Sequence, residues 1–578
     1  MTNTTWNYSG RRHFLKVAAA GLAIGGTSSA HAIAPADSIL TDSPRGRFGI
    51  SKQHLTAVNR NRRIVVNYDV ISGDRSFGGA DPAELVRRKF HFIDLPGNQI
   101  DSVWWCWGEG HQAPWPSKMM PLYDADGYRK WVRQGIDIVK VFVDAAKNRG
   151  IESFYNYRIN GSDNDLGPVR KIPMKEKHPD WLIHTWNANG YFNFAIEGVR
   201  AYKLGILREI AERYDLDGIS LDFARIPIVL PPGRQWELRD ELTEFLRSCR
   251  EMTQSTARRR DRPFLLGARV PENIVGCHFD GIDIETWIRE GLVDVLAPGV
   301  RNFDIDLAAF RHLTAETAVK LYPCVDDHHA SDGYQTAPIE IYRGVASNWH
   351  QQGADGIQTF NFCHNPRFPW GACVANVHEQ AFRELGDPAT LQRKNKTFVV
   401  QRRGGGHGPT VIPNPEAWTT PRLMYFNTNM LAPLPAPLDN DGKADTLLFV
   451  DVGDNVSADA RQVASLRVRL LLSDPAAAKL SVQKRLDRVS IARIGHPGGQ
   501  LFNDPPARGI EKQIELRVNN SLLEPPTVEA GWLVFEPRPE QFAVGRNLLG
   551  VRVMTPGEDD RKPIVIEKLE VHVRYRAA

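Results

Sequence analysis

The sequence predicts an α/β protein, a (β/α)8 TIM barrel followed by an all-β sandwich domain. Three observations carry that reading. Short apolar runs alternate with helical periodicity between residues 62 and 390. Carboxylates, amides and aromatics gather at the C-terminal ends of those runs, the face on which barrels carry their sites. Farther on, the texture changes to short period-two segments with almost no helix. The 578-residue chain also exceeds what one ordinary core supports.

The elements follow in order. Ile64-Val65-Val66-Asn67-Tyr68 is the first strand and residues 102–107 the second. A helix is expected over 131–147, where Val132, Ile136, Val139, Val143 and Ala146 recur at helical spacing. Residues 152–157 give the third strand and, after a helix over 199–213, residues 218–221 the fourth. The fifth to eighth strands fall at 263–269, 293–298, 320–323 and 356–361, separated by helices over 240–256, 284–290 and 338–352. A doubly wound open sheet would need a switch-point ligand loop, and no G-x-G-x-x-G follows an early strand. Together these elements make residues 62–390 the barrel. Residues 391–417 read as a linker, with Gly404-Gly405-Gly406-His407-Gly408 inside it and no Walker Lys to make a phosphate cradle. Within 418–578 the segments 447–452, 466–471, 513–518, 531–535, 547–553 and 566–573 read as strands of a β-sandwich accessory domain.

The N-terminus reads as an export signal. Gly10-Arg11-Arg12-His13-Phe14-Leu15-Lys16 resembles the twin-arginine motif, and an apolar run over 17–24 leads to the small-residue triplet Ala30-His31-Ala32. Residues 1–32 are expected to be the signal peptide and 33–61 a lead segment, with the mature chain periplasmic or secreted. The apolar run is too short to span a bilayer, so no stable membrane insertion is expected. The net charge is only +4, from 72 basic and 68 acidic residues. The clusters Arg258-Arg259-Arg260 and Arg402-Arg403 lack interleaved aromatics and read as solvated loops, which argues against a nucleic-acid partner. No pair among the six cysteines has C-x-x-C spacing, so buried thiols are the default.

The strand ends carry the chemistry. Asp69 follows the first strand, Trp107 and Glu109 the second, Arg158 and Asn160 the third, and Asp222 and Arg225 the fourth. Arg269 and Glu272 follow the fifth, Asp326, Asp327, His328 and His329 the seventh, and Asn361 and His364 the eighth. Sugars are held by dense side-chain hydrogen bonds and by stacking on aromatic faces. Glycosidic bonds are broken by paired carboxylates. Trp115, in a Pro-Trp-Pro loop, is the expected stacking platform. The 326–329 cluster lacks H-x-H and H-E-x-x-H spacing, and no metal or other cofactor is expected. No G-x-S-x-G elbow supports a serine hydrolase.

Four pieces carry a family resemblance. They are Phe154-Tyr155-Asn156-Tyr157-Arg158-Ile159-Asn160; Tyr214-Asp215-Leu216-Asp217-Gly218-Ile219-Ser220-Leu221-Asp222-Phe223-Ala224-Arg225; Gly281-Ile282-Asp283-Ile284-Glu285-Thr286-Trp287-Ile288-Arg289-Glu290-Gly291-Leu292-Val293-Asp294; and Gly353-Ala354-Asp355-Gly356-Ile357-Gln358-Thr359-Phe360-Asn361-Phe362. Residues 62–386 resemble the bacterial glycosyl-hydrolase-like barrel family described as family-10-like. The resemblance implies a polysaccharide or glycoside substrate and an active-site role for Asp222. Ser220 stands where a carboxylate is more usual.

The expectation is an exported glycoside hydrolase with Asp222 as one catalytic carboxylate. Its partner is Asp326, if the pair spans the fourth and seventh strands, or Glu272, if it spans the fourth and fifth. Glu272 is preferred, because its strand carries Arg269 and opens into a Pro-Glu-Asn loop. Asp69, Trp107, Glu109, Trp115, Arg158, Asn160, Arg225, Arg269, His328 and Asn361 are expected to hold the carbohydrate substrate. The rivals are a non-catalytic glycan-binding protein on a barrel scaffold and a polysaccharide lyase.

Overall fold

The computed structural model describes residues 48–70, 81–107, 111–123, 126–160, 172–184, 190–224, 227–299, 302–326, 334, 337–360, 362, 371–402, 432–439, 441–474, 509–554 and 563–576. The export signal lies outside the described residues. No described helix is long and apolar enough to cross a membrane.

Among the described residues nine parallel strands make one sheet: β1 (Ile64–Asp69), β2 (Ile100–Cys106), β3 (Glu152–Arg158), β4 (Gly218–Asp222), β5 (Leu265–Val270), β6 (Val295–Pro298), β7 (Lys320–Leu321), β8 (Cys324–Asp326) and β9 (Ile357–Phe360). Their order is β8-β9-β1-β2-β3-β4-β5-β6-β7. The two edges, β7 and β8, are consecutive in the chain and separated only by Tyr322 and Pro323. Tyr322 N donates to Leu296 O (2.9 Å) on one side, and Gln358 N donates to Pro323 O (2.9 Å) on the other. One stretch of chain therefore pairs on both flanks, and the sheet curls until its edges meet. Pro323 divides the expected seventh strand because it has no N–H to give the ladder.

Strand alternation sorts the side chains. Ile64, Val66, Val103, Trp105, Tyr155 and Tyr157 belong to the large core beneath the surrounding helices. Val65, Trp104, Phe154, Leu265, Val295, Ala297 and Tyr322 form a second cluster inside the curl, joined by Val58. Val58 comes from α1 (Lys52–Val58), in the segment read as a lead. That helix is tied down by buried ion pairs. Arg62 makes a bidentate pair with Glu152 at 2.7 and 2.6 Å, and His54 (2.8 Å) and Arg250 (2.8 Å) flank Asp294. Gly356 lets β9 pass close: a Cβ there would lie 2.0 Å from Arg62 O.

The helix expected over 131–147 is two helices, α2 (Asp126–Arg133) and α3 (Ile138–Lys147). Gly135 adopts φ +71°, a left-handed conformation that stops the first. Asp137 caps the second, accepting from Lys140 N.

The C-terminal region is two antiparallel sheets, of six and four strands, around one core. Val468 and Leu470 of one sheet meet Leu516, Leu549 and Val551 of the other. The segment read as a linker starts instead with a strand, β10 (Lys396–Val399), paired antiparallel with Val565–Tyr575. Arg402, expected in a solvated loop, is buried and ion-paired to Glu567 at 2.6 Å. Helix α4 (Ile339–Gln351), which precedes β9, lies on this domain. A Cβ on Gly344 would sit 2.3 Å from Thr397 O. Asp454 accepts from Ser347 (2.6 Å), Lys396 (2.8 Å) and Tyr575 (2.6 Å).

Candidate active site

Five strands carry a charged side chain at or near their C-terminal end. Asp69, Arg158, Asp222, Arg269 and Asp326 are all buried. They share the strand faces of the inner cluster residues Val65, Phe154 and Leu265, one or two pleats nearer the C-terminal end.

Arg158 is paired with Asp69 at 2.5 Å. Asp222 sits opposite Arg158 on one neighbouring strand and Arg269 on the other. One of its oxygens accepts from Arg269 (3.3 Å) and the other from Ala224 N (3.1 Å). Arg269 also donates to Gly299 O (3.1 Å), and its guanidinium lies 4.3 Å from the Phe360 ring centroid. Burial alone would disfavour the charge on Arg269. Cys324, Asp222 and Asp326 outweigh burial and hold its pKa above the ordinary value. Asp326 lies across from Phe360 in the ladder, so Arg269 stands in the field of both carboxylates. Burial pushes the neighbouring Cys324 thiol up to about 12, which leaves it unreactive. Among the described strand-end groups there are three carboxylates and two cations.

Glu272 lies two residues past β5 and is buried. Its carbonyl accepts from Asp306 N (3.0 Å), and its charge acts on Asp304. Asn160 is occupied structurally. Its amide donates to Phe192 O and Ile228 O and accepts from Phe192 N, which pins the Leu182–Ile183 and Tyr191–Phe192 hairpin. It has little capacity left for a substrate, contrary to expectation.

Trp107 and Trp115 also depart from expectation. Trp107 is buried against Phe142 (centroids 4.8 Å apart), because alternation turns it toward the helices. Trp115 has no exposed surface and sits edge-on between Tyr155 and Tyr214. Its loop is folded back by the Ala113–Leu122 bridge, and burying so large a ring outweighs leaving it in water. Glu109, Arg225, His328 and Asn361 lie outside the described residues, as do Asp327, His329 and His364.

Several interior residues were missed from the sequence: Asn67, Asn156, Ser220, Gln358 and Phe360. The signal was present. Each stands on the inward register, where an aliphatic side chain is the norm.

No family model matches the chain, and no curated protein matches it. Among solved structures it is similar to the glycoside hydrolase domain of PgaB (BpsB) from Bordetella bronchiseptica, with 10% identity over 56% of this chain and 99% of that one, at a TM-score of 0.36. It is similar to a family 36 α-galactosidase from Geobacillus stearothermophilus, with 10% identity over 90% of this chain and 56% of that one, at a TM-score of 0.32. It is likewise similar to a family 18 N-acetylglucosaminidase from Paenibacillus barengoltzii, with 10% identity over 55% of this chain and 98% of that one, at a TM-score of 0.32.

Proposed function

We propose that the chain is an exported glycoside hydrolase whose curled sheet is a (β/α)8 barrel, with Asp222 and Asp326 as its carboxylate pair. One observation carries the reading: Asp222 and Asp326 end interior strand registers and act on the same buried cation, Arg269. Arg269 and Ala224 N donate to Asp222, which suits a group that attacks carbon or activates water. Asp326 is then the acid that protonates the leaving oxygen. The excess of carboxylates over cations among the described strand-end residues would stabilise the positive charge that develops on the sugar ring. Glu272, the partner preferred from sequence, acts on Asp304 and takes second place.

The charge pattern disfavours the lyase reading. A lyase substrate carries a carboxylate that needs a cation, and both described interior arginines already face aspartates. The binding-only reading loses its aromatic platform, since Trp107 and Trp115 are buried. The family-10-like resemblance agrees with this proposal, and export rests on Arg11-Arg12.

The test is incubation of the mature protein with a polysaccharide and aryl-glycoside panel, reading products by mass spectrometry. Hydrolysed sugars that disappear with Asp222→Asn support the proposal. Unsaturated products absorbing in the ultraviolet would sink it, as would no turnover on any substrate.

A further inference from the structure

Where α4 meets the antiparallel sheets, the two surfaces part into a cleft of about 550 Å³. Small-molecule sites occupy roughly 300–1,000 Å³ and favour the boundary between packed units. One wall is the last turn of α4, with His350 and Gln351, together with residues 388–393. The other is the segment 453–459, joined by Tyr575. The cleft lies toward the end of the curled sheet where the strands begin, away from Asp222. His350 Nε2 donates to Leu385 O (2.8 Å), and a Cβ on the next residue, Gly386, would lie 2.8 Å from Arg63 Cβ, beside the start of β1.

Its walls are fixed across the boundary. Asp454 is held by Ser347, Lys396 and Tyr575. Gly453 N donates to Asn348 Oδ1 (2.7 Å), and a Cβ on Gly453 would meet Ser347 O at 2.5 Å. Arg393 holds φ +53°, a left-handed backbone uncommon outside glycine, and gives Nε (3.3 Å) and Nη2 (3.0 Å) to Asp459 Oδ1.

These contacts decide what the cleft can hold. Both of its carboxylates, Asp454 and Asp459, already face cations, Lys396 and Arg393. A phosphate or a uronate would have to break an ion pair, and a divalent metal would have to displace three donors from Asp454. The remaining polar groups are uncharged. The Gln351 and Gln392 side chains reach solvent, and Asn455 spends its oxygen on Ala458 N (3.1 Å) and keeps its amide N–H groups. Burial lowers the His350 pKa, so the ring is neutral, and with Nε2 given to Leu385 its Nδ1 keeps a lone pair. Pro388, Ala389 and Leu391 add an apolar stretch. Amides that donate and accept beside an apolar surface match the hydroxyls and the C–H face of a sugar.

We infer that this cleft is a second glycan site, which binds a neutral oligosaccharide away from the strand-end carboxylates and anchors a long substrate. The choice of a sugar over other neutral hydroxyl-rich ligands rests on the glycosidase reading.

The experiment uses the full mature chain carrying Asp222→Asn, to suppress turnover. It is titrated calorimetrically with malto-, cello-, xylo-, manno- and chitohexaose and with hexagalacturonate, and hydrogen exchange is followed with and without each. At least one neutral hexamer should bind and protect residues 388–393 and 453–459. Adding Gln351→Ala with Gln392→Ala should weaken that binding roughly tenfold or more, with Tm unchanged because both side chains are exposed. Ala389→Trp, which narrows the cleft from its apolar stretch, should do the same and keeps the test decisive if the glutamines support folding. No protection of either segment by a neutral hexamer, tighter binding of hexagalacturonate there, or unchanged affinity in both variants overturns the inference. With Asp222 intact, both variants should hydrolyse a small aryl glycoside at the natural rate. Such hydrolysis without protection at the cleft defeats the second site and leaves the glycosidase reading. Protection at the cleft without hydrolysis of any substrate does the reverse.

Discussion

Asp222 is buried and receives Arg269 on one oxygen and a backbone amide on the other. Replacing it by Asn keeps the shape and removes the charge. Turnover of an aryl glycoside should fall about a thousandfold, on the order of 4 kcal/mol of transition-state stabilisation, with circular dichroism unchanged. Azide should rescue Asp222→Ala as a glycosyl azide of inverted configuration and Asp326→Ala as one of retained configuration. A well-folded Asp222→Asn protein of normal activity would falsify the assignment. Asp294 makes a different prediction. Burial acts to raise its pKa, but Arg250 and His54 outweigh that and hold the carboxyl below the usual range. A depressed folded pKa adds stability above the unfolded value, about 4, and loses it as pH falls toward the folded one. Asp294→Asn leaves Arg250 buried and unpaired, and should cost about 3–5 kcal/mol at pH 7. Denaturation at pH 7 and pH 3 should show the gap between variant and natural protein narrowing in acid.

At the scale of elements, single glycines and prolines decided what periodicity could not. Gly135 splits a helix whose apolar spacing runs on without interruption, and Pro323 divides a strand that bonds on both sides. Gly356 shows how little room there is where β9 meets the segment after α1. Gly356→Ala drives a Cβ into Arg62 O, which is backbone and cannot swing away. It should destabilise by about 3 kcal/mol or more, or prevent folding. A melting temperature within error of the natural protein would show that the strand can shift. The strand-end residues Asp69, Arg158, Asp222, Arg269 and Asp326 were legible because alternation and element ends are local. Trp107 and Trp115 were not: which face of a strand is wet, and where a loop folds back, depend on distant elements.

At the scale of the molecule, the curled parallel sheet with its helices and the C-terminal antiparallel sheets share a packed boundary through α4, β10 and Asp454. A chain ending at Arg393 would strip the cover from α4 and leave Arg343 and Glu384 at a new surface. Such a fragment should be insoluble or melt well below the full chain. A soluble, fully active fragment would show that the barrel stands alone. Changing both Arg11 and Arg12 to Lys should leave the precursor in the cytoplasm, as fractionation would show, whereas normal export would remove the twin-arginine reading.

The sequence by itself determined the alternation of strands and helices, the change to antiparallel strands, and the carboxylates that end the strands. These are properties of periodicity and of residue type at an element's end, and both are written within a few residues. Tertiary structure alone decided that Asp222 and Asp326 act on one buried cation, that Asn160 is spent on a hairpin, and that β10 pairs into the C-terminal antiparallel sheet. It also decided that the Asn67, Asn156 and Gln358 amides and the Ser220 hydroxyl are buried without hydrogen-bond partners among the described residues. Each of these depends on which strands become neighbours when the sheet curls, and that pairing joins residues up to hundreds of positions apart through contacts that no local pattern encodes.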